Sequence, residues 1–299
     1  MKKWFFLFVL LMLLAHEVYQ LKSEGDYEII DVNQMQWAPE ESQVLEIARD
    51  QVYQGNLLLV NKDYPVHQEG VKSDVVNLIQ HKELVEGYGL LDDRIRLSQG
   101  VAQKFLQMVQ AAEKDNVRHF LITSGYRDKE EQSQLYQDKG ADFALPAGHS
   151  EHNLGLALDI GSTLSGMNQA PEGKWLQKNA WKYGFVLRFP KDNKDITGIE
   201  YEPWHFRYVG LPHSKIMQKK NFTLEEYLSY IKEKKNIGET IAGMEYEVSY
   251  YSVSSKKTVN VQANRYEISG DNMGGVIVTA LSAENARIGQ DKMKKKMEM

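Results

Sequence analysis

Two short polar segments constrain the fold of this chain more than any other feature. The first contains His152 and Asp159 with several small residues between them, and the second is the Glu-Pro-Trp-His motif at residues 202–205. Two imidazoles and a carboxylate can bind a zinc ion and leave one coordination position for water. A further carboxylate nearby, here that of Glu202, can take a proton from that water. This chemistry requires a fold in which His152, Asp159 and His205 meet.

The first segment has the pattern of a loop that enters a strand. If the strand begins near Leu154, then Gly155, Ala157 and Asp159 share one of its faces, because side chains alternate along a strand. The two small residues leave space beside the carboxylate, and His152 reaches that space from the preceding loop. Taken alone, the segment is also consistent with a purely structural role, in which Asp159 ends a strand and His152 is a loop histidine.

The second segment predicts a turn or the first turn of a short helix, because Pro203 has no N–H for a central strand or for a helix interior. One helical turn brings residues three positions apart to the same side. Glu202 can then face a metal that His205 holds, without binding the metal itself. The alternative is an exposed glutamate beside a histidine packed on aromatic rings.

The amino terminus has the pattern of a targeting segment. Lys2 and Lys3 precede an apolar run over residues 4–15, which is shorter than the roughly 20 residues that span a bilayer. A cleaved export signal, an uncleaved anchor and a buried core segment are all consistent with this run, and we expect export. We therefore assign residues 1–21 to a signal peptide or N-terminal anchor and residues 22–43 to a linker.

The remaining patterns predict an α+β protein in two parts. Residues 44–234 mix helical and strand patterns without regular β-α-β alternation, which predicts a mixed helix/strand domain with a central antiparallel sheet. The spacing of apolar residues predicts a helix over residues 39–52, and a capping box predicts a second helix over 128–139. Alternation with a period of two then predicts a small β-rich C-terminal domain over 235–284, followed by a polar tail at 285–299.

Composition narrows the possible partners and ligands. The chain has no cysteine, so a metal site must be built from His, Asp and Glu side chains. The formal net charge of -5 lacks the basic surplus that is usual for nucleic-acid binding. We predict no nucleic-acid partner, contact with the membrane only through the N-terminal segment, and a monomer.

Three motifs resemble one known family. They are Ser-Gly-Tyr-Arg at 124–127, Gly-His-Ser-Glu-His at 148–152 leading through Gly155 to Asp159, and the Glu-Pro-Trp-His run that continues to Gly210. Together they resemble the VanY-type D-alanyl-D-alanine carboxypeptidases and their L,D-carboxypeptidase relatives of bacterial cell walls. The resemblance covers roughly residues 44–234.

The resemblance implies a role for each residue of the site. His152, Asp159 and His205 match the zinc ligands of the family. Glu202 matches its general base, which later acts as general acid. Arg127 matches a cationic group beside the scissile carbonyl, where a guanidinium can stabilise the developing oxyanion.

Other residues have weaker claims. Without the motif, a salt bridge from Arg127 to Asp128 or Glu131 is the simpler interpretation. In the L,D-acting relatives a glutamine and the serine of the zinc motif contact the substrate peptide, and two aromatic residues near the motifs are candidates to line the cleft. An exposed helix position is the alternative for the glutamine, and packing is the alternative for the aromatics. These substrate-binding candidates are Gln132, Ser150, Tyr126 and Trp204.

These inferences predict an exported, zinc-dependent carboxypeptidase that removes the terminal D-Ala from peptidoglycan stem peptides. It would act at the extracellular face of the cytoplasmic membrane or in the cell wall. The alternatives are an L,D-carboxypeptidase acting on stem tetrapeptides and a non-catalytic wall-binding protein. For the β-rich C-terminal region, wall binding, a lid over the site and a stabilising cap remain open.

Overall fold

The computed structural model describes residues 43–140, 144–261, 263 and 265–281. The predicted signal or anchor at 1–21, the linker apart from its last residue, and the tail at 285–299 lie outside the described residues. Within the described ranges, no helix has the length and apolar character needed to cross a membrane.

The described chain alternates short strands with helices. The strands are β1 (Gln43–Ile47), β2 (Val75–Asn77), β3 (Gly89–Leu90), β4 (Arg96–Ser98), β5 (Phe120–Ser124), β6 (Ala157–Ser162), β7 (Phe185–Leu187), β8 (His205–Tyr208), β9 (Asn236–Ile241), β10 (Met244–Ser252), β11 (Lys257–Val261), β12 (Arg265–Gly270) and β13 (Gly275–Leu281). The α-helices are α1 (Gln99–Lys114), α2 (Lys129–Lys139), α3 (Pro171–Asn179), α4 (Lys194–Thr197), α5 (His213–Lys220) and α6 (Leu224–Lys234). Short 3-10 helices lie at Arg49–Tyr53, Gln68–Gly70, Leu78–Gln80, Lys82–Leu84, Glu151–Leu154 and Ala180–Tyr183.

A five-stranded sheet forms the centre of the molecule, with the strand order β3-β5-β6-β8-β7. In this order the neighbouring strands β5, β6, β8 and β7 pair antiparallel, whereas the edge strand β3 pairs parallel with β5. The predicted α+β class is therefore confirmed, but the sheet is mixed rather than antiparallel. The parallel edge arises because the chain between β3 and β5 passes through α1, which returns it to the same end of the sheet.

Helix α1 packs against the apolar face of this sheet. Phe105 and Met108 are fully buried with Phe120 of β5 and Leu158 of β6 in one cluster. Burial of side chains of this size stabilises the folded state by about 1.5–3 kcal/mol each. The sheet is therefore held as a rigid platform, and its strand ends can hold side chains in fixed positions.

Residues 39–52 were predicted to be helical, and this prediction is wrong for the part that is described. Residues 43–47 form β1, which pairs antiparallel with β11, and Arg49–Tyr53 form only a 3-10 helix. Along β1 exposed and less exposed positions alternate, and Ile47 is fully buried. Pairing with a strand more than two hundred residues away outweighs the weak local helical pattern.

The C-terminal region is rich in strands, as predicted. Strands β9 and β12 flank the central pair in a four-stranded antiparallel sheet of order β12-β13-β10-β9. Strand β13 is buried on both faces. Ile277 packs with α6 residues such as Tyr227, and Val276 and Val278 pack with Val259 of β11.

Candidate metal and active site

Two neighbouring strands of the central sheet bring the predicted motifs together. Asp159 of β6 lies directly opposite His205 of β8 in the antiparallel register. His152 lies in the 3-10 helix that precedes β6, and Gly155 ends that helix with a φ of 82°. A positive φ is readily adopted only by glycine, so Gly155 allows the sharp turn that leads the chain from His152 into the strand.

One atom from each of three side chains could bind the same ion. The ligand atoms of His152, Asp159 and His205 all lie within 4.8 Å of one another. Asp159 Oδ1 is 3.5 Å from His152 Nε2 and 3.4 Å from His205 Nδ1. Both histidines are buried, and the aspartate side chain is 17% exposed. Of the three ligand side chains, the carboxylate is the most exposed to solvent.

The donor atoms fit a metal ion. His152 donates its Nδ1 proton to the carbonyl oxygen of Gly125 over 2.6 Å, which leaves Nε2 as a free lone pair. That Nε2 atom and Asp159 Oδ1 are buried, and neither has a hydrogen-bond partner in the described part of the chain. Buried polar atoms are nearly always paired. Two nitrogens and one carboxylate oxygen, with no thiolate, form a ligand set that suits zinc.

Glu202 lies beside this group on a turn. The backbone N–H of His205 donates to the carbonyl oxygen of Glu202 over 3.2 Å, which closes the turn that contains Pro203. Glu202 Oε2 lies 3.4 Å from His205 Nδ1, and its side chain is 20% exposed. The Glu202 carboxylate therefore lies next to the three potential ligands and keeps access to solvent.

Arg127 approaches the same group from the end of β5. Its backbone N–H donates to the carbonyl oxygen of His152 over 3.2 Å, and its Nε is buried with no partner among the residues that the structure describes. The alternative of a salt bridge to Asp128 or Glu131 is wrong, because both carboxylates pair with Arg96. Burial lowers the pKa of Arg127, and the nearby carboxylates of Asp159 and Glu202 oppose that effect.

The pKa values of the two histidines are shifted in opposite directions. Burial and the charge of Arg127 lower the pKa of His152. Burial also acts to lower the pKa of His205, but Glu151, Glu202 and Asp159 outweigh it and raise that pKa to about 9. For Asp159 burial is likewise outweighed, here by its cationic neighbours, and its pKa lies below the usual range.

The substrate-binding candidates occupy different positions around the group. Gln132 is buried and donates from Nε2 to the carbonyl oxygen of Leu145 over 2.6 Å, while its Oε1 has no partner within the described ranges. Ser150 is buried, and its hydroxyl accepts from the backbone N–H of His152. Trp204 is 42% exposed beside His205.

Tyr126 differs from the other candidates. The guanidinium of Arg96 lies over its ring at 5.0 Å from the centroid. Its backbone N–H also donates to the carbonyl oxygen of Arg96. These contacts pack the ring on Arg96, which also pairs with the cap residue of α2.

Sequence reasoning missed a buried charge cluster behind His205. Glu151 Oε1 accepts from Arg188 Nε over 2.8 Å and from Arg207 Nη1 over 2.7 Å. Arg188 also makes a two-bond contact with Glu225 at the start of α6. The available signal was the charged residue next to His152 in a segment that is otherwise buried.

Comparison with known proteins identifies relatives of this chain. The family model described as VanY, D-alanyl-D-alanine carboxypeptidase, matches residues 94–211. A D-alanyl-D-alanine carboxypeptidase of Enterococcus faecium is 54% identical over 93% of this chain and 96% of its own length.

Two solved structures are also similar. The vancomycin-resistance D,D-dipeptidase VanXYg, in complex with a D-Ala-D-Ala phosphinate analog, aligns with a TM-score of 0.70 and 34% identity over 81% of this chain and 99% of its own. The LdcB LD-carboxypeptidase aligns with a TM-score of 0.50 and 34% identity over 57% of this chain and 84% of its own.

The fold is shared with a D,D-dipeptidase, and the site brings three potential metal ligands together with a separate carboxylate. The chain belongs to the VanY family of D-alanyl-D-alanine carboxypeptidases, and it is a carboxypeptidase.

Proposed function

We propose that this protein is an exported, zinc-dependent carboxypeptidase that removes the terminal D-Ala from peptidoglycan stem peptides. The observation that carries the proposal is the convergence of His152, Asp159 and His205 within 4.8 Å, with Glu202 beside them. The similarity to the Enterococcus faecium D-alanyl-D-alanine carboxypeptidase supports the choice of substrate.

In this proposal His152, Asp159 and His205 would hold the zinc ion, with His152 Nε2, Asp159 Oδ1 and His205 Nδ1 as the candidate donor atoms. A bound zinc ion supplies Lewis acidity, which polarises a carbonyl and makes water easier to deprotonate. The protein contributes the fixed orientation of each donor. Gly125 orients His152 through the Nδ1 hydrogen bond, and the β6–β8 register orients Asp159 and His205.

Glu202 holds and moves the proton. Its carboxylate accepts a proton from the attacking water and later delivers it to the leaving amine, as a general base that becomes a general acid. Arg127 carries a positive charge toward the same space, where it stabilises negative charge that develops on the scissile carbonyl oxygen. Its unpartnered Nε supports this role.

Gln132 and Ser150 are proposed to contact the substrate peptide, and Trp204 and Tyr126 to border its path. The free Oε1 of Gln132 supports a hydrogen bond to a peptide N–H. The packing of Tyr126 on Arg96 gives it the weakest support of the four.

The division of the chain follows the same proposal. Residues 44–234 would form the catalytic domain and 235–284 the β-rich domain, after an N-terminal export segment, a linker at 22–43 and before a polar tail. The dense contacts of β13 with α6 and β11 favour a stabilising cap as the role of the β-rich part. A family that acts on the cell wall supports action outside the cytoplasm. Monomeric behaviour and the absence of a nucleic-acid partner are part of the proposal.

Cleavage after an L-residue is the second candidate, and the likeness to LdcB favours it. The higher identity and nearly full coverage of the Enterococcus faecium relative favour D,D-cleavage. The two activities differ in substrate: a stem pentapeptide ending in D-Ala-D-Ala, or a stem tetrapeptide with one terminal D-Ala.

The test is mass spectrometry of both synthetic peptides after incubation with zinc-loaded protein, with and without a chelator. We expect the pentapeptide to lose one alanine and the chelator to prevent this. The Glu202→Gln variant serves as control against a contaminating peptidase. Cleavage of only the tetrapeptide would replace D,D- by L,D-activity, and no cleavage of either peptide by protein that holds zinc would overturn the proposal.

A further inference from the structure

The buried carboxylate of Glu151 faces the ring of His205 on the side away from Asp159 and Glu202. Glu151 is 2% exposed, and its Oε2 lies 3.4 Å from His205 Nε2. Neither of these two buried atoms makes a hydrogen bond within the ranges that the structure describes. Buried polar atoms are nearly always paired, and each of these two has the other as a neighbour at 3.4 Å.

The other oxygen of Glu151 is fixed by two cations. Oε1 accepts from Arg188 at 2.8 Å and from Arg207 at 2.7 Å. Both arginines are held in turn: Arg188 by Glu225, and Arg207 by the carbonyl oxygens of Asn56 and Leu58 at 3.0 Å each. With two cations on one oxygen, the carboxylate is ionised and can only accept a hydrogen bond. Oε2 can therefore pair with His205 Nε2 only if that nitrogen carries hydrogen.

A proton on Nε2 determines the other ring nitrogen. In the neutral imidazole only one nitrogen carries hydrogen, so Nδ1 is left as a lone pair. Nδ1 is the atom that lies 3.4 Å from Asp159 Oδ1 and 3.4 Å from Glu202 Oε2. A carboxylate behind a ligating histidine fixes its tautomer and raises its basicity, and loss of such a partner typically reduces metal affinity by about 10–100-fold.

We propose that Glu151 is a positioning residue, which locks His205 in the tautomer that offers Nδ1 to the metal. The inference rests on the proposed zinc site and adds a residue that supports it without touching metal or substrate. It also assigns a purpose to the buried Arg188 and Arg207, which hold the carboxylate ionised behind the ring.

Glu151→Gln is a sharp test because the two arginines dictate how the amide orients. They require an acceptor, so the amide oxygen stays toward Arg188 and Arg207 and the NH2 group turns toward His205. The NH2 group then donates to Nε2, which reverses the tautomer and places the proton on Nδ1. Zinc must displace that proton.

Glu225→Gln is the matched control. Glu225 belongs to the same cluster and makes two bonds to Arg188, and no hydrogen bond or ion pair joins it to His205 in the described part of the chain. It therefore removes a similar charge from the cluster and leaves the Glu151–His205 contact in place.

The first measurement is zinc affinity by competition with a chromophoric chelator, at constant pH, on the full-length wild type and both variants. We expect Glu151→Gln to bind zinc at least about tenfold more weakly, and Glu225→Gln to bind like the wild type. Wild-type affinity in Glu151→Gln, or an equal loss in both variants, would overturn the proposal. Failure of the wild type to bind zinc would instead reject the proposed function on which it rests.

The second measurement needs no variant and covers the case in which Glu151→Gln does not fold. Histidine-ring ¹H–¹⁵N correlation spectra of the zinc-loaded wild type report which nitrogen of His205 carries hydrogen. We expect a protonated Nε2 and a ligating Nδ1. A ligating Nε2, or a proton on Nδ1, would contradict the assignment of Glu151 even if the protein is fully active.

Discussion

Glu202 and His205 lie at the two ends of one turn and have different roles in the proposed reaction. The imidazole is buried against Asp159, whereas the Glu202 carboxylate keeps 20% of its surface exposed. A ligand and a proton carrier should respond differently to substitution, and this difference separates the two roles in experiment.

We expect Glu202→Gln to lower kcat/KM by about 10²–10⁴-fold and to leave zinc binding nearly unchanged, because the amide keeps the shape of the side chain but cannot accept the proton. His205→Asn, in contrast, should lose zinc. Turnover of the pentapeptide and zinc content by atomic absorption are the two readouts. Equal zinc loss in both variants would mean that Glu202 is a ligand rather than a base.

At the scale of elements, helix α2 matters because it begins immediately after Arg127. Asp128 accepts from the backbone N–H of Glu131 over 2.9 Å, and Glu131 accepts from that of Asp128 over 3.0 Å. Both carboxylates also pair with Arg96. The start of this helix is thus fixed on the scaffold that presents Arg127.

Asp128→Ala should destabilise the protein by about 0.5–2 kcal/mol, since an alanine cannot cap the helix. Asp128→Asn keeps the cap and weakens only the ion pair with Arg96, which is partly exposed, so its effect should be clearly smaller. Denaturant unfolding followed by circular dichroism measures both. Similar losses in the two variants would show that the charge, rather than the cap, stabilises this helix start.

Local signals explain which elements were predictable from sequence. The cap at Asp128 acts within a few residues, and helix α2 forms as expected. Strand β1 depends on a partner at the far end of the chain, so its local pattern was misleading. Strands β9 and β12 likewise depend on pairing with β10 and β13.

The site divides in the same way. Spacing within each motif identified His152, Asp159 and His205, and the β6–β8 register supplies the contact between them. Glu151 could not be assigned a role from sequence, because its partners Arg188 and Arg207 come from β8 and from the residue after β7. Only folding brings these separate charges together.

On the scale of the whole molecule, the turn between β12 and β13 ties the C-terminal sheet to the start of the described chain. Asn272 donates from Nδ2 to the carbonyl oxygens of Leu59 at 2.8 Å and Pro65 at 2.9 Å, and its φ is 64°. The neighbouring carbonyl of Leu58 accepts from Arg207. One loop segment therefore contacts both the C-terminal sheet and the charge cluster behind the site.

Asn272→Ala should destabilise the protein by about 2–4 kcal/mol, from two lost hydrogen bonds and from an alanine in the left-handed region. Asn272→Gly removes the same bonds but tolerates the backbone conformation, so its loss should be smaller by about 1–2 kcal/mol. Urea unfolding of both variants measures this difference. Equal losses would show that backbone conformation contributes nothing at this turn.

His213 joins α5 to α6 and to β13 inside the second core. Tyr227 Oη lies 2.6 Å from its Nδ1 and Thr279 Oγ1 lies 3.0 Å from its Nε2. Burial lowers the pKa of His213 to about 3. Tyr227 is the titratable group in contact with it, and burial raises the pKa of that phenol, so the phenol stays neutral in acid.

This histidine should make folding stability depend on pH. Between pH 6.5, near its pKa in the unfolded chain, and pH 3, the unfolded state binds a proton that the folded state does not. The free energy of unfolding should therefore fall as the pH falls through this window, by up to about 1.4 kcal/mol per pH unit from His213 alone. His213→Gln lacks the titrating group, so from pH 7 to pH 5 its unfolding free energy should fall less than that of the wild type. An equal change of unfolding free energy with pH in the wild type and the variant would show that His213 is already protonated in the folded protein or that water reaches its ring.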